Sequence, residues 1–416
     1  MRTICAQRGG VTAGTLLALI LSVFTIAAGS GLLLPLLPHL VERLLGAGAG
    51  TSAISRNTGF LTASYTLALF LFAPVSGRVS DRRGRRCILL CGLCGFAFTM
   101  LVFPFTGNLV AVYMEQFLLG LFSAAVLPVA LATIGGLART DKARARYLTM
   151  LSMAAAAGSF LGPMLGVFLA RVGTTPFAAS AQAGSLAIPL VATAAGTLVA
   201  AAAAALALPQ DHAIASRQST TATDSGILPP AMPQMLALAF IVATGIGVFH
   251  IDLALRGTQE VGFSQTQVAL MFSECSLVMF LSQAAVFSPL VNPKATRWLI
   301  PPAIVTLAVS LYLVPWTTDP RVMLAVVGAI AVSAGILTPI LTFWISSAAG
   351  LAQGQELGRQ TAATNLGTTA GSMAAGVQFA VAFLPEAAVA LTVALTLGGF
   401  ILSLKLPRQL VARRRP

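Results

Sequence analysis

Apolar segments recur along nearly the whole chain, separated by short polar connections. Each segment is apolar on every side of a helix and rich in Ala, Leu, Gly and Val, whereas a membrane strand would alternate apolar and polar residues. As helices, segments of about 20 residues cross a hydrocarbon core of about 30 Å. The pattern predicts an all-α polytopic membrane protein with twelve transmembrane helices, at 11–37, 57–77, 87–106, 109–136, 147–170, 186–208, 232–255, 265–290, 298–315, 321–347, 360–384 and 386–406.

The longest hydrophilic stretch lies at the midpoint of the chain and is rich in Ser and Thr. Such a composition is typical of a flexible linker. We therefore predict an N-terminal six-helix bundle at 1–208, a cytoplasmic linker at 209–231, and a C-terminal six-helix bundle at 232–416 that ends in a short basic tail.

A weak repeat supports this division. Arg146 and Gly158 of the first half match Arg359 and Gly371 of the second, as expected for a parallel duplication of six helices. Chance similarity between two helices rich in Ala and Gly remains the alternative.

Composition and charge agree with a membrane protein. The chain is 57% hydrophobic and only 9% charged, whereas soluble domains carry about 25% charged residues. All but five of its 25 Lys and Arg residues lie in the connections on the side of the two termini. By the positive-inside rule we expect both termini to be cytoplasmic. The protein itself is expected in the inner membrane of the cell. The net charge of +13 therefore reflects topology, and we expect no nucleic-acid partner.

The connection between the second and third predicted helices reads Gly-Arg-Val-Ser-Asp-Arg-Arg-Gly-Arg-Arg and begins at Gly77. It resembles the GxxxDRxGRR signature of the major facilitator superfamily. The resemblance implies that Asp81, Arg82, Gly84 and Arg85 belong to a gate latch, which holds while the transporter is open to the outside. The alternative is that these arginines are only positive-inside anchors.

The fifth predicted helix carries Gly158, Gly162, Pro163 and Gly166. Glycines one turn apart provide a flat face for close helix contact, and a proline within a helix bends it. The run resembles the GxxxGPxxGG signature of antiporter branches of the superfamily, although Val167 replaces the last glycine. A generic packing face with a kink is the alternative.

The resemblance implies the major facilitator fold, with two six-helix bundles and alternating access around a central cavity. We expect a monomeric secondary transporter that exports a small amphipathic organic compound, such as a drug, a metabolite or a siderophore, in exchange for protons. Proton-coupled uptake, or facilitated diffusion of a small metabolite, is the alternative. A membrane-embedded enzyme is a remote alternative, because the three histidines are scattered over the predicted topology and cannot form one catalytic or metal site. We expect no cofactor, no metal and no partner besides cargo, protons and lipid.

Ionisable residues within membrane helices are costly and are functional candidates by default. Glu274 lies roughly 14 Å deep, with no basic partner nearby in sequence, and is the first candidate for proton coupling. His250, Asp252 and Glu115 are further candidates. Asp252 has Arg256 four residues later, so a surface ion pair is its alternative role.

Candidate cavity residues complete the prediction. Drug/proton antiporters of the superfamily carry an Arg at the position occupied here by Gln116, so a proton site shared with them at this position is in doubt. The cavity candidates are Gln116, Phe24, Phe117, Met271, Phe343 and Trp344. For each aromatic residue, plain helix packing is the alternative.

The latch is testable by a substitution that removes one charge. Asp81→Asn is expected to leave folding and membrane insertion intact but to slow transport strongly, because the cytoplasmic gate loses its charge-paired state. Transport rates in cells with matched expression measure this. Wild-type rates in a normally expressed variant would reduce the loop to a topology anchor.

Overall fold

The computed structural model describes residues 12–46, 50–137, 141–172, 187–208, 231–259, 261–286, 296–348, 353–378 and 387–406. Over these ranges the regular structure is helical. The helices are α1 (Ala13–Leu33), α2 (Leu37–Leu45), α3 (Thr51–Arg83), α4 (Arg85–Val102), α5 (Leu109–Leu137), α6 (Asp141–Val172), α7 (Ala187–Ala207), α8 (Met232–Gln259), α9 (Gln265–Val286), α10 (Thr296–Leu313), α11 (Pro320–Ala348), α12 (Gln353–Gln378) and α13 (Ala387–Leu404).

The long helices α1 and α3 to α13 fall on the twelve predicted segments in order. Ten of them are long and apolar enough to cross a membrane. The other two are α6, whose apolar stretch is the shorter Met150–Gly166, and α12, which is rich in Thr, Gln and Gly.

Several helix boundaries differ from the prediction by six or seven residues: α3 begins at Thr51, α6 at Asp141 and α12 at Gln353. Two differences change the connections. The first apolar run is broken after Leu33, and a separate short helix, α2, begins at Leu37 with Pro38 in its first turn, where proline is tolerated. Helix α3 extends to Arg83, beyond its predicted end at residue 77. Gly84 ends it with a φ of 99°, a conformation that side chains with a Cβ rarely adopt, so the chain turns directly into α4.

Glycines bring α1 and α6 into backbone contact. A Cβ added to Gly158 would lie 2.5 Å from the carbonyl oxygen of Phe24, and one added to Gly162 would lie closer still to that of Ala28. No real side chain fits at such distances. Small residues let membrane helices approach closely enough for extensive van der Waals contact, which replaces the hydrophobic effect inside a bilayer.

The second half uses the same device between α8 and α12. Gly371 lies against the carbonyl oxygen of Thr244, and Gly367 against that of Phe240. Each half thus contains helices joined backbone to backbone at glycine, and Gly120 against Tyr65 and Gly335 against Met279 are further examples.

Each half also has its own buried core. One cluster of buried side chains includes Leu19, Leu93 and Leu119, and the other includes Phe249 and Ile304. The halves meet where α3 packs against α12 and α6 against α9. The predicted linker, 209–231, lies outside the described residues except for Ala231.

The two halves are in close contact toward one face of the molecule. We call the face at which α1 begins and α13 ends the terminal face, and the other the opposite face. Near the opposite face Gly59 of α3 touches Gly376 of α12, and near mid-helix the hydroxyls of Thr66 and Thr369 are hydrogen-bonded at 2.8 Å. Toward the terminal face α3 becomes more exposed, and Leu71 is 45% accessible. The glycine contact between the halves therefore lies away from the termini.

The glycine contact predicts a specific stability loss. Gly162→Ala should lower the melting temperature of the detergent-purified protein, because the new methyl group forces α1 and α6 apart, at a cost of about 1–3 kcal/mol. Gly398→Ala on α13 is the matched control, since nothing lies within 4 Å of a Cβ there. It should keep or slightly raise the melting temperature. An equal loss in both variants would contradict the role of the α1–α6 contact.

Candidate functional site

A cavity of about 230 Å³ lies between the two halves. Its wall combines apolar side chains with hydroxyl, amide and imidazole groups. The lining residues are Ser30, Gly31, Leu33, Leu34, Leu37, Thr62, Tyr65, Thr66, Phe96, Gln116, Ser159, Pro163, His250, Phe272, Ser276 and Thr368.

The glycine face of α6 positions one wall of the cavity. Because Gly158, Gly162 and Gly166 face α1, Pro163 and Ser159 are turned toward the cavity beside Gly31. A Cβ on Gly31 would lie 3.2 Å from the carbonyl oxygen of Ser159 and 3.3 Å from the Cδ of Pro163. The four residues of the antiporter-like run therefore have two roles, since three pack α6 on α1 and the proline borders the cavity.

Gln116 borders the cavity and has a buried amide nitrogen without a hydrogen-bond partner among the described residues. Its side chain is 2% exposed, and its Nε2 has no hydrogen-bond partner within the described part of the chain. By contrast, the Thr62 and Thr66 hydroxyls donate to backbone carbonyls of their own helix or bond to Thr369. A buried amide without a partner carries an energetic cost that a ligand accepting its hydrogen bond would remove.

His250 is the one proton-coupling candidate among the four that lines the cavity. Its ring centroid lies 5.7 Å from that of Phe272 and 5.7 Å from that of Phe249. The imidazole is thus held between two aromatic rings at the junction of the halves. A group that binds a proton there would directly affect whatever occupies the cavity.

The three carboxylates lie elsewhere. Glu115 is buried and accepts a hydrogen bond from the hydroxyl of Thr106, in the connection before α5. Glu274 points away from the cavity toward α11, where a Cβ on Gly328 would lie 3.4 Å from its Oε1.

Asp252 pairs with Arg256, with 3.7 Å between Oδ2 and Nε. This pair is buried, since the Asp252 side chain is 1% and the Arg256 side chain 10% exposed. The ion pair considered from the sequence is therefore present, but the prediction that it lies at the surface is wrong. The Nη1 of Arg256 also donates to the carbonyl oxygen of Pro315 at 2.9 Å, which joins the end of α8 to the turn after α10. Removing one member of such a buried pair is strongly destabilising.

The signature loop clamps helices within the first half. The guanidinium of Arg85 is buried and donates from Nη1 to the carbonyl oxygen of Ala132 in α5 at 2.6 Å. Arg86 donates from Nη2 to that of Ala205 in α7 at 2.5 Å. Both contacts join helix ends at the terminal face, and the Gly84 turn orients both side chains.

The other described residues of the loop do not test the predicted gate latch. Asp81 lies within α3, but its side chain is outside the described residues, and Arg82 is exposed. The carbonyl of Gly77 accepts from the Ser80 hydroxyl at 2.7 Å, and nothing lies within 4 Å of a Cβ at Gly77. The latch remains a prediction.

Five of the six predicted cavity residues lie outside the lining. Phe24 borders a smaller groove of about 140 Å³ within the first half, and Phe117 packs edge-on against Phe72. Met271 and Trp344 are buried in the core of the second half, with Phe343 packed against the Trp344 ring.

The aromatic part of the cavity wall comes instead from three residues that sequence reasoning missed, Tyr65, Phe96 and Phe272. Their helices are apolar on all sides, so no stripe in the sequence distinguishes the face toward the cavity from the others.

Comparison with known proteins identifies this architecture. Residues 19–286 match the family model of the Major Facilitator Superfamily, which covers well over half of the chain. The chain belongs to the major facilitator superfamily.

Three relatives illustrate the similarity. Multidrug resistance protein 2 of Bacillus subtilis is 25% identical over 81% of this chain and 81% of its own. The class C tetracycline resistance protein of Escherichia coli is 33% identical over 41% of this chain and 42% of its own. The crystal structure of the human organic anion transporter MFSD10 (TETRAN) superposes with a TM-score of 0.71 at 20% identity, and covers 94% of this chain and 99% of that one. This last likeness establishes the fold alone.

The position of the cavity is testable by cysteine labelling in a cysteine-free background. Ser276→Cys should react with a water-soluble methanethiosulfonate at least roughly tenfold faster than Val199→Cys, because the reactive thiolate forms in water and not in lipid. Val199 is 65% exposed on α7 and contributes nothing to the lining. Labelling of intact proteoliposomes, followed by mass spectrometry, measures the rates. Equal rates would mean that Ser276 does not border a water-filled cavity.

Proposed function

We propose that this membrane protein exports a small, partly apolar organic compound in exchange for protons. The observation that carries the proposal is the cavity itself, which lies between the two halves and is built from apolar, hydroxyl and amide groups around one histidine. Concave sites of this mixed chemistry are typical of small-molecule binding. Transport by alternating access requires such a site at the junction of the halves.

Topology and shape support entry of cargo from the cytoplasm, which export requires. The bias of Lys and Arg toward the connections at the terminal face supports a cytoplasmic location for that face, with the protein in the inner membrane. The halves touch at Gly59 and Gly376 near the opposite face, which agrees with access from the cytoplasm in the described conformation. A cargo molecule would enter the cavity from that side.

The relatives support the class of cargo. A multidrug resistance protein matches four fifths of this chain, and a tetracycline resistance protein matches about two fifths of it. The antiporter-like run on α6 adds an argument from this chain's own residues, since Pro163 stands in the cavity wall. Together they favour efflux of drug-like compounds over uptake of a nutrient.

One proton per transport cycle is enough to drive such export. Moving one elementary charge through 100 mV supplies about 2.3 kcal/mol, which sustains a roughly fortyfold gradient of a neutral compound. Exchange requires that proton and cargo compete. We therefore place the proton on His250, which borders the cavity, and keep Glu274, which lies on the neighbouring helix α9 but faces α11, as the second candidate.

Inverted membrane vesicles test the function and the coupling residue together. Vesicles energised to an acidic interior should accumulate chloramphenicol, a drug that carries no charge at neutral pH, and lose that accumulation when a protonophore is added. His250→Gln should abolish proton-driven accumulation while the protein still exchanges labelled drug for unlabelled drug, because binding remains but titration is lost. Glu274→Gln should reduce the initial rate less.

Two outcomes would contradict these statements. If inverted vesicles accumulate none of a broad panel of drugs while right-side-out vesicles do, the protein mediates uptake. If Glu274→Gln abolishes accumulation and His250→Gln does not, the proton site lies on α9, as the sequence alone predicted.

A further inference from the structure

We propose that the cargo of this cavity is uncharged, an inference that rests on the proposed function because it takes the cavity as the cargo site. The starting observation is the lining, which contains no Asp, Glu, Lys or Arg among the residues that the structure describes there. His250 is the one lining side chain whose ordinary titration falls near neutral pH. With a neutral imidazole, the wall has no charge.

The helices that form the wall do carry carboxylates in their interiors, and each is directed elsewhere. Glu115 is engaged by Thr106, and Asp252 is paired with Arg256. Glu274 lies beside α11. Each is within a few residues of a lining position, since Gln116, His250 and Ser276 belong to the same three helices.

Other charged side chains described on these helices lie at the helix ends. Arg56 and Arg78 of α3 are exposed. Near the terminal face the Glu356 carboxylate of α12 is buried and accepts from Arg359 Nη1 at 2.8 Å. The described residues thus offer a cation no carboxylate in the cavity wall.

Charge selection follows from the cost of desolvation. A cation that leaves water for a cavity of this kind loses its hydration and meets no opposite charge, so its binding is strongly disfavoured. A protonated His250 would add repulsion. A neutral compound pays no such penalty.

A pair of probes that differ only in charge tests the inference. 4-tert-Butylphenol and 4-hydroxyphenyltrimethylammonium share the ring, the hydroxyl and the shape, and differ in one quaternary centre. Binding of each to the purified full-length protein in lipid nanodiscs is measured by calorimetry, with empty nanodiscs subtracted. The wild-type protein should bind the neutral phenol at least roughly tenfold more tightly than the cation.

Placing one carboxylate in the wall should change the preference. Gln116→Glu, or Ser276→Asp if the first variant does not fold, should improve the affinity for the cation relative to the phenol by roughly tenfold or more. Gln267→Glu is the matched control. It adds the same charge at an exposed site where the side-chain oxygen accepts from the Ser264 backbone N–H at 2.8 Å, as a carboxylate also can. Its preference should equal that of the wild type.

Three results would overturn the inference. The first is equal binding of the two probes to the wild-type protein, which includes no specific binding of either. The second is tighter binding of the cation, and the third is the same change of preference in Gln267→Glu as in Gln116→Glu. These results are independent of the vesicle experiment. A protein that binds the phenol selectively but accumulates no drug in inverted vesicles would refute export and leave the charge selection intact. Export of drug together with equal binding of the two probes would refute the charge selection and leave the export function intact.

Discussion

Backbone contact at glycine is the interaction on which the rest of this structure depends. Inside a bilayer, lipid tails are as apolar as leucine, so helices gain little from burying apolar side chains against one another. Close approach supplies the missing attraction, and it requires positions without a Cβ. Gly158 and Gly162 provide it in the first half, and Gly367 and Gly371 in the second. The cavity wall is a consequence, because the rotation of α6 that seats its glycines on α1 also turns Pro163 inward.

The contact between the halves also engages whole helices, since α3 packs against α12 and α6 against α9. Gly59 and Gly376 touch, and one hydrogen bond joins Thr66 to Thr369. Rigid-body alternation around a central site would have to exchange these contacts for others while the glycine-packed pairs within each half stay together.

The described ionisable side chains of the membrane helices are placed so that the cavity wall carries no permanent charge. A buried ion without a partner is costly, and the described ionisable groups inside the membrane helices are accordingly paired, hydrogen-bonded or directed away from the cavity. Asp252 is held by Arg256, and Glu115 by Thr106. His250 is the exception, because its ring faces the cavity between Phe249 and Phe272 and is ordinarily neutral near pH 7. A cavity without permanent charge is the result.

The sequence predicted the long helices, the class of protein and the family, but not the break after which α2 begins at Leu37. Segment length and the lack of charge are sufficient for the first two, and the GxxxDRxGRR string at Gly77 for the third, because these signals are local. It could also indicate that Gly158, Gly162 and Gly166 share one face, since that follows from helix geometry alone.

The faces that line the cavity could not be predicted, because they depend on how the helices pack together. Phe272 and Ser276 border it, whereas Glu274 between them faces α11, and Phe24 and Trp344 lie outside the lining. The reason is physical. A soluble helix shows its buried face as an apolar stripe, but a membrane helix is apolar toward lipid, neighbour and cavity alike, so its rotation is set by packing that the sequence does not display.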